Sequence, residues 1–439
     1  MRLLAMMKLM LKHKLKYLIL TAVLPAALVV VAPVLNSERR VAAVPDAKPA
    51  VPQFKNWGLQ NTVGNSHIHA LDAWKLEQGS RDIVVAVIDT GIDPNHADIK
   101  ANLWRDKVTG HYGWDFVANK ANPVDDHSHG THVAGIIGAA LNAKAGISGV
   151  AHKVSIMAVK YYSDKNTGAE NLENSIKALN WAIDHGAHII NYSGGGPEFS
   201  KKEFEALKRA REKGVLLVAA AGNEHENTDL PQHYYYPCAY RLDNIVCVSA
   251  INVRNELLAS SNWGKARVDV AAPGDQILST VPGGKYSYMS GTSQATAFVS
   301  GLAALLLSKS RSLRPEQVRE LVRSTADKLP HLRDKVYAGG KVNAYAALSQ
   351  LDRMMLRKVP APVLVKREKA PAVTAPALRK VSTKNFKDLT APSPNKSFSD
   401  SFLKKPPKPA IRGTTSKISA NIEHDEPAAD KEVFKTRSY

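Results

Sequence analysis

The chain has 439 residues, 44% of them apolar, and a formal charge of +19. That length holds one large domain with appendages or two to three ordinary ones. Residues 1–56 carry 9 basic and 2 acidic side chains, residues 352–439 carry 19 and 9, and the middle holds 31 against 29. A near-neutral globule between basic ends lacks the basic face of a nucleic-acid-binding domain, so no nucleic-acid partner is expected.

Residues 1–16 form a basic N-region, with Arg2, Lys8, Lys12, Lys14 and Lys16 ahead of the uncharged run YLILTAVLPAALVVVAPVL at 17–35. A basic flank before such a run directs export, and its length leaves a cleaved signal peptide and a membrane anchor both open. The expected location is outside the cytoplasm, either secreted or periplasmic, or membrane-anchored through 17–35. Residues 36–56 read as a linker, too short for a folded domain.

From 57 to 351 apolar runs of strand type alternate with amphipathic helical patterns. DIVVAVID (82–89), VSIMAVK (154–160), AHIINYS (187–193), GVLLVAAAG (214–222) and NIVCVSA (244–250) are the strands; 171–186 and 201–214 are helices ending at Gly186 and Gly214. This order predicts an α/β fold, three layers α/β/α around a mostly parallel sheet. Cys238 and Cys247, nine apart, read either as small core hydrophobes or as a disulfide in an exported protein. Residues 352–439 hold 10 of the 24 prolines and many lysines, and read as a disordered tail. A solvated tail is favoured over one binding anionic lipid or nucleic acid.

Chemistry in open α/β sheets gathers beyond the carboxyl ends of the strands. Asp89 closes the first strand, His129 opens the helical run HGTHVAGIIG, Asn223 follows VLLVAAAG, and Ser293 lies where MSGTSQATA runs into an apolar helix. Asp89, Asn223 and Ser293 each have an ordinary reading alone, as a turn residue or a cap. Three histidines, His127, His129 and His132, invite a zinc reading, but no further cluster of ligand spacing supports it.

In the order Asp, His, Asn, Ser, the blocks VIDTGID, HGTHVAG, AAAGNE and SGTSQATA resemble the signature blocks of subtilisin-like serine proteases, and SSNWG, VDVAAPG and GGKVNAYAAL are similar too. The resemblance covers about Trp57 to Leu351. It implies a serine endopeptidase acting on polypeptides through an acyl-enzyme, with Ser293 as nucleophile, His129 as base, Asp89 as its orienting carboxylate and Asn223 in the oxyanion hole. It implies further that Ser193, Gly194 and Gly195, with Ala220, Ala221 and Gly222, line the pocket for the substrate side chain before the scissile bond. HYYYP (233–237) would either close that pocket or pack on the surface.

A monomer is expected, and no required cofactor. Calcium stays open through Asp98, which matches a ligand of relatives. LNAKAGI (141–147) departs from the usual amide-rich loop, and the site near Asp115 has Ala118 and Lys120 where relatives have acids. Gln294 and Ala297 stand where Met and Pro are usual. The linker also leaves no room for the folded pro-domain of many relatives. The rival reading, a scaffold that keeps the fold without activity, requires a broken catalytic set.

Overall fold

A computed structural model describes residues 53–60 and 64–358. The run 17–35, most of the linker and the tail beyond Lys358 lie outside the described residues. In chain order the main elements are β1 (Gly79–Asp89), β2 (Gly113–Asp115), β3 (Lys120–Ala121), α1 (His129–Gly138), β4 (Lys153–Lys160), α2 (Gly168–Asp184), β5 (Ile189–Tyr192), α3 (Lys201–Glu212) and β6 (Leu216–Ala220). They continue with β7 (Ile245–Ile251), β8 (Val270–Pro273), β9 (Ile277–Val281), β10 (Lys285–Met289), α4 (Thr292–Lys309), α5 (Pro315–Ser324), β11 (Asp327–Lys328), β12 (Gly340–Lys341) and α6 (Ala344–Lys358). The last helix runs past the boundary expected at Leu351.

Ten strands form one sheet in the order β11-β12-β8-β7-β6-β5-β1-β4-β2-β3. From β12 to β2 every pairing is parallel; β11 and β3 add antiparallel edges. β9 and β10 make a separate antiparallel pair.

The strands read as continuous apolar runs because both faces are covered. Along β1, Val85 and Val87 join a core that includes α1, α4, α5 and α6, while Ala86 and Ile88 join a second core with α2 and α3. This is the expected three-layer α/β/α arrangement. α4 is the central helix, with every residue from Thr292 to Leu307 buried. It packs against β1, β5, β6, β7, β8 and α1. Burying each of Phe298, Leu302, Leu305 and Leu306, all fully inaccessible, contributes about 1.5–3 kcal/mol. The start of α4 is thereby fixed beside the carboxyl ends of the strands.

The cysteines form a disulfide, Cys238–Cys247. It ties the turn after Pro237 to β7, and both residues are buried among core side chains.

Candidate active site

Asp89 is the last residue of β1 and only 3% exposed. His129 is the first residue of α1, and its Nδ1 lies 2.8 and 3.0 Å from the two carboxylate oxygens of Asp89. An ionised carboxylate only accepts, so Nδ1 carries the proton. The close approach depends on Gly130: a Cβ there would stand 2.1 Å from the Gly91 carbonyl oxygen and 3.2 Å from the Asp89 side chain. Gly130 N donates to Thr90 Oγ1 at 2.9 Å and joins helix to strand end.

Asp125 organises the loop before His129. Its Oδ1 accepts from Thr90 Oγ1, His127 N and Ser128 N, and its Oδ2 from Thr131 N and Thr131 Oγ1, all within 3.0 Å. Burial pushes the Asp125 pKa up, and the Thr131, His127 and Thr90 hydrogen bonds outweigh it, leaving a net lowering. Burial likewise pulls the His129 pKa down, but the Asp89 charge, the hydrogen bond to it and the Asp125 charge together raise it.

The other histidines of the cluster separate from it. His132 Nε2 faces the carbonyl oxygens of Ile277 and Ser287 at 3.0 and 3.1 Å, and burial holds its pKa down at about 4. It is a neutral strut between α1 and the β9–β10 pair. The exposed His127 sets its ring edge toward His129 and Tyr162, with centroids 6.4 and 6.1 Å away. Among the described residues no group of three or more His, Cys, Asp or Glu could hold a metal ion.

Ser293 is the second residue of α4, so its N–H has no acceptor within the helix. Its Oγ donates to the Ser193 carbonyl at 3.1 Å rather than to His129. Asn223 follows β6, and its Oδ1 accepts from Thr292 N (2.9 Å) and Thr292 Oγ1 (3.2 Å). Those donors fix the orientation of the amide, leaving Nδ2 as a donor beside the start of α4. Gly291 just before it has φ 153°, a region that side chains rarely adopt.

Segment 193–196 continues β5, and 220–222 continues its neighbour β6. Ser193 Oγ donates to the Ser293 carbonyl at 3.3 Å and receives a bond from Asn191 Nδ2 at 2.9 Å. A side chain at Gly194 would meet Tyr161 Oη at 2.1 Å, and one at Gly195 the Tyr236 carbonyl oxygen at 2.3 Å. Ala220 and Ala221 are buried. Gly222 sits under Tyr235, Asn262 and Glu224.

The subtilase family model matches residues 80–346. The chain is 38% identical over 297 residues to the "Thermophilic serine proteinase" of Bacillus sp. (strain AK1), 68% of each chain. It is 38% identical over 285 residues to thermitase of Thermoactinomyces vulgaris, 65% of this chain and 95% of that one. A solved protease of Pseudoalteromonas arctica matches with TM-score 0.58 and 26% identity, over 68% of this chain and 98% of that one. The chain belongs to the subtilase family. It is a serine-type endopeptidase.

The tyrosines of this subtilase's HYYYP run divide. Tyr234 is half-buried under the Arg267 guanidinium, 4.0 Å from its ring centre. Tyr235 closes over Gly195 and Gly222. Tyr236 pairs with Gly196 through two backbone bonds of 3.0 and 2.8 Å.

At the two loops where calcium stays open, protein donors engage the carboxylates. Asp98 Oδ1 accepts from Asn142 Nδ2 at 3.0 Å and Oδ2 from Tyr286 Oη at 2.6 Å. Asp115 Oδ1 caps its own turn through Val117 N and Ala118 N. Calcium needs six or more oxygens facing one point, and these carboxylates face donors.

Several cleft residues carry no motif. A cavity of about 340 Å³ opens beside Gly195, Gly196 and Pro197, lined by Tyr161, Tyr162, Leu172, Tyr192, Tyr236 and Glu203. Glu224 touches the Gly222 position and is held by Asn262 Nδ2 at 2.5 Å; burial raises its pKa against that hydrogen bond.

Proposed function

We propose that this subtilase cleaves polypeptides with Ser293, His129 and Asp89 as its catalytic set and Asn223 as an oxyanion donor. Ser293 Oγ turns from the Ser193 carbonyl and attacks the scissile carbonyl carbon while His129 Nε2 takes its proton. Negative charge then develops on the carbonyl oxygen, where Asn223 Nδ2 and Ser293 N–H are the available donors. His129 returns the proton to the leaving amine, the C–N bond breaks and an acyl-Ser293 ester remains. Water, deprotonated by the same imidazole, hydrolyses the ester. Asp89 holds the Nδ1–H tautomer and stabilises the cation. The observation that carries the reading is the Asp89–His129 pair, buried on the strand side and attached to the helix whose neighbour α4 presents Ser293.

A substrate strand would run along 193–196 through main-chain hydrogen bonds. Its side chain before the scissile bond would sit between 193–195 and 220–222, and a side chain further upstream would enter the tyrosine-lined cavity. A fluorophosphonate probe tests the assignment: it should label the wild type and not Ser293→Ala, whose peptidase activity falls by on the order of 10⁶-fold. Equal labelling of both proteins would move the nucleophile elsewhere.

The reading extends to location. Basic residues before 17–35 would export the chain, leaving the peptidase domain outside the cytoplasm as a monomer, free or anchored. The Cys238–Cys247 disulfide supports this, since disulfides persist in oxidising compartments. Cell fractionation checks it, and activity confined to the cytosol would defeat it.

A further inference from the structure

We infer that the cavity beside 193–196 selects substrates carrying lysine or arginine about three residues before the residue at the scissile bond, with Glu203 as the counter-charge. The inference rests on the peptidase reading above and goes beyond it by naming the side chain that the cavity takes.

Glu203 is the third residue of α3, where a glutamate ordinarily turns back to cap the helix. Glu170, third in α2, does that: it is exposed and accepts from Thr167 N at 2.7 Å and Thr167 Oγ1 at 2.9 Å, which lowers its pKa. Glu203 does not turn back, although Ser200 Oγ accepts from its N–H. Its carboxyl instead faces Tyr240 Oη at 2.8 Å, is 2% exposed and lines the cavity.

Burial raises the Glu203 pKa against the hydrogen bonds from Tyr240 and Tyr192. Among the described residues no Lys, Arg or His forms an ion pair with it. A buried carboxylate without a cation is costly, and helix capping does not require it. A cation arriving with the substrate removes that cost. The tyrosine rings around the cavity add favourable faces for an ammonium or guanidinium, and about 340 Å³ admits a long side chain.

The position follows from the sheet. Ser193 adjoins Ser293, and Gly196, three residues further along, lines the cavity; that spans about 10 Å, or about three substrate residues. Residues 220–222 lie on the β6 side of the segment. Tyr161, whose N–H donates to Asp89 O, lies on the β1 side. Side chains of an extended peptide alternate, so one three positions away points opposite to the first.

The test is kcat/KM on fluorogenic peptides identical except at that position, which carries lysine, arginine, norleucine or glutamate. Wild type should prefer lysine or arginine to norleucine by about tenfold or more. In Glu203→Gln the ratio should fall toward one. Equal cleavage of the lysine and norleucine peptides by wild type overturns the inference even if no Glu203 variant folds. Preference for norleucine overturns it too, and makes the cavity an apolar pocket. In both cases continued cleavage and labelling of Ser293 leave the peptidase reading intact, whereas loss of both strikes that reading itself.

Discussion

On one side of the cleft Asp89, Asp125 and His129 are fixed by side-chain charge, with eight carboxylate contacts no longer than 3.0 Å among them and their loop. On the other side Ser293, Asn223 and 193–196 are placed by a buried helix, backbone continuations of β5 and β6, and glycines with no room for a Cβ. The first side sets proton affinity; the second sets shape and donor position. Substitutions on the charged side should move pH profiles, and those on the backbone side should change rate at fixed pH.

The largest expected effect divides the two sides. Asp89→Asn keeps the size of the side chain but leaves Nδ1 facing an amide that no longer fixes its tautomer, so kcat should fall by about 10⁴-fold. The residual acid limb should also move down in pH. The Asp89 charge raises the His129 pKa, a raised pKa means protonation begins at higher pH, and only the neutral imidazole can act as base. Residual activity with an unchanged acid limb would separate the Asp89 charge from His129. Asn223→Leu tests the opposite side. It removes the proposed oxyanion donor and should lower kcat by about 10²–10³-fold with the acid limb in place. A shifted limb in that variant would break the division.

Asp125→Asn sharpens it. Oδ2 accepts from both donors of Thr131, and an amide nitrogen there would face two N–H or O–H groups. The variant should lose activity by about tenfold, as the loop before His129 loosens. The acid limb should move down in the same sense as for Asp89→Asn and by less, because Asp125 raises the His129 pKa only as the last of its causes. Steady-state kinetics from pH 5 to 9 reads both quantities, and a rate loss without a shift would make Asp125 a purely structural anchor.

The sheet was legible in the sequence where strands are buried on both faces. β1 and β4–β7 appear as apolar runs because helices cover each side, whereas β11 and β12 are two residues each and leave no such pattern. The catalytic candidates were legible because each sits at a strand or helix end inside a distinctive block. Asp125 was not: one aspartate among polar loop residues gives no sign that five donors will converge on it. Glu203 was hidden differently. In KKEFEALKRAREKG it reads as one more surface charge, and only the docking of α3 against Tyr192 and Tyr240 turns it inward. The cysteine spacing could not choose between thiols and a disulfide, because that depends on how closely the turn approaches β7.

The smallest expected effect lies on the backbone side, at Gln294. Its side chain is 1% exposed, and its Nε2 has no hydrogen-bond partner among the described residues. Its Oε1 lies near the Gly291 position, as does Asn223 Oδ1, so the amide adjoins the proposed oxyanion donor. Gln294→Met replaces an unpartnered buried amide nitrogen by an apolar thioether, so folding should be kept and activity in buffer nearly unchanged. Peroxide should then distinguish the two proteins. The sulfoxide would add a polar oxygen beside Asn223 in a closed space, whereas glutamine does not react. Met289, half-buried on β10, is present in both and sets the common background. At one peroxide dose the variant should lose activity several-fold faster than wild type. Equal rates of loss would place the oxidisable residue outside this wall of the cleft.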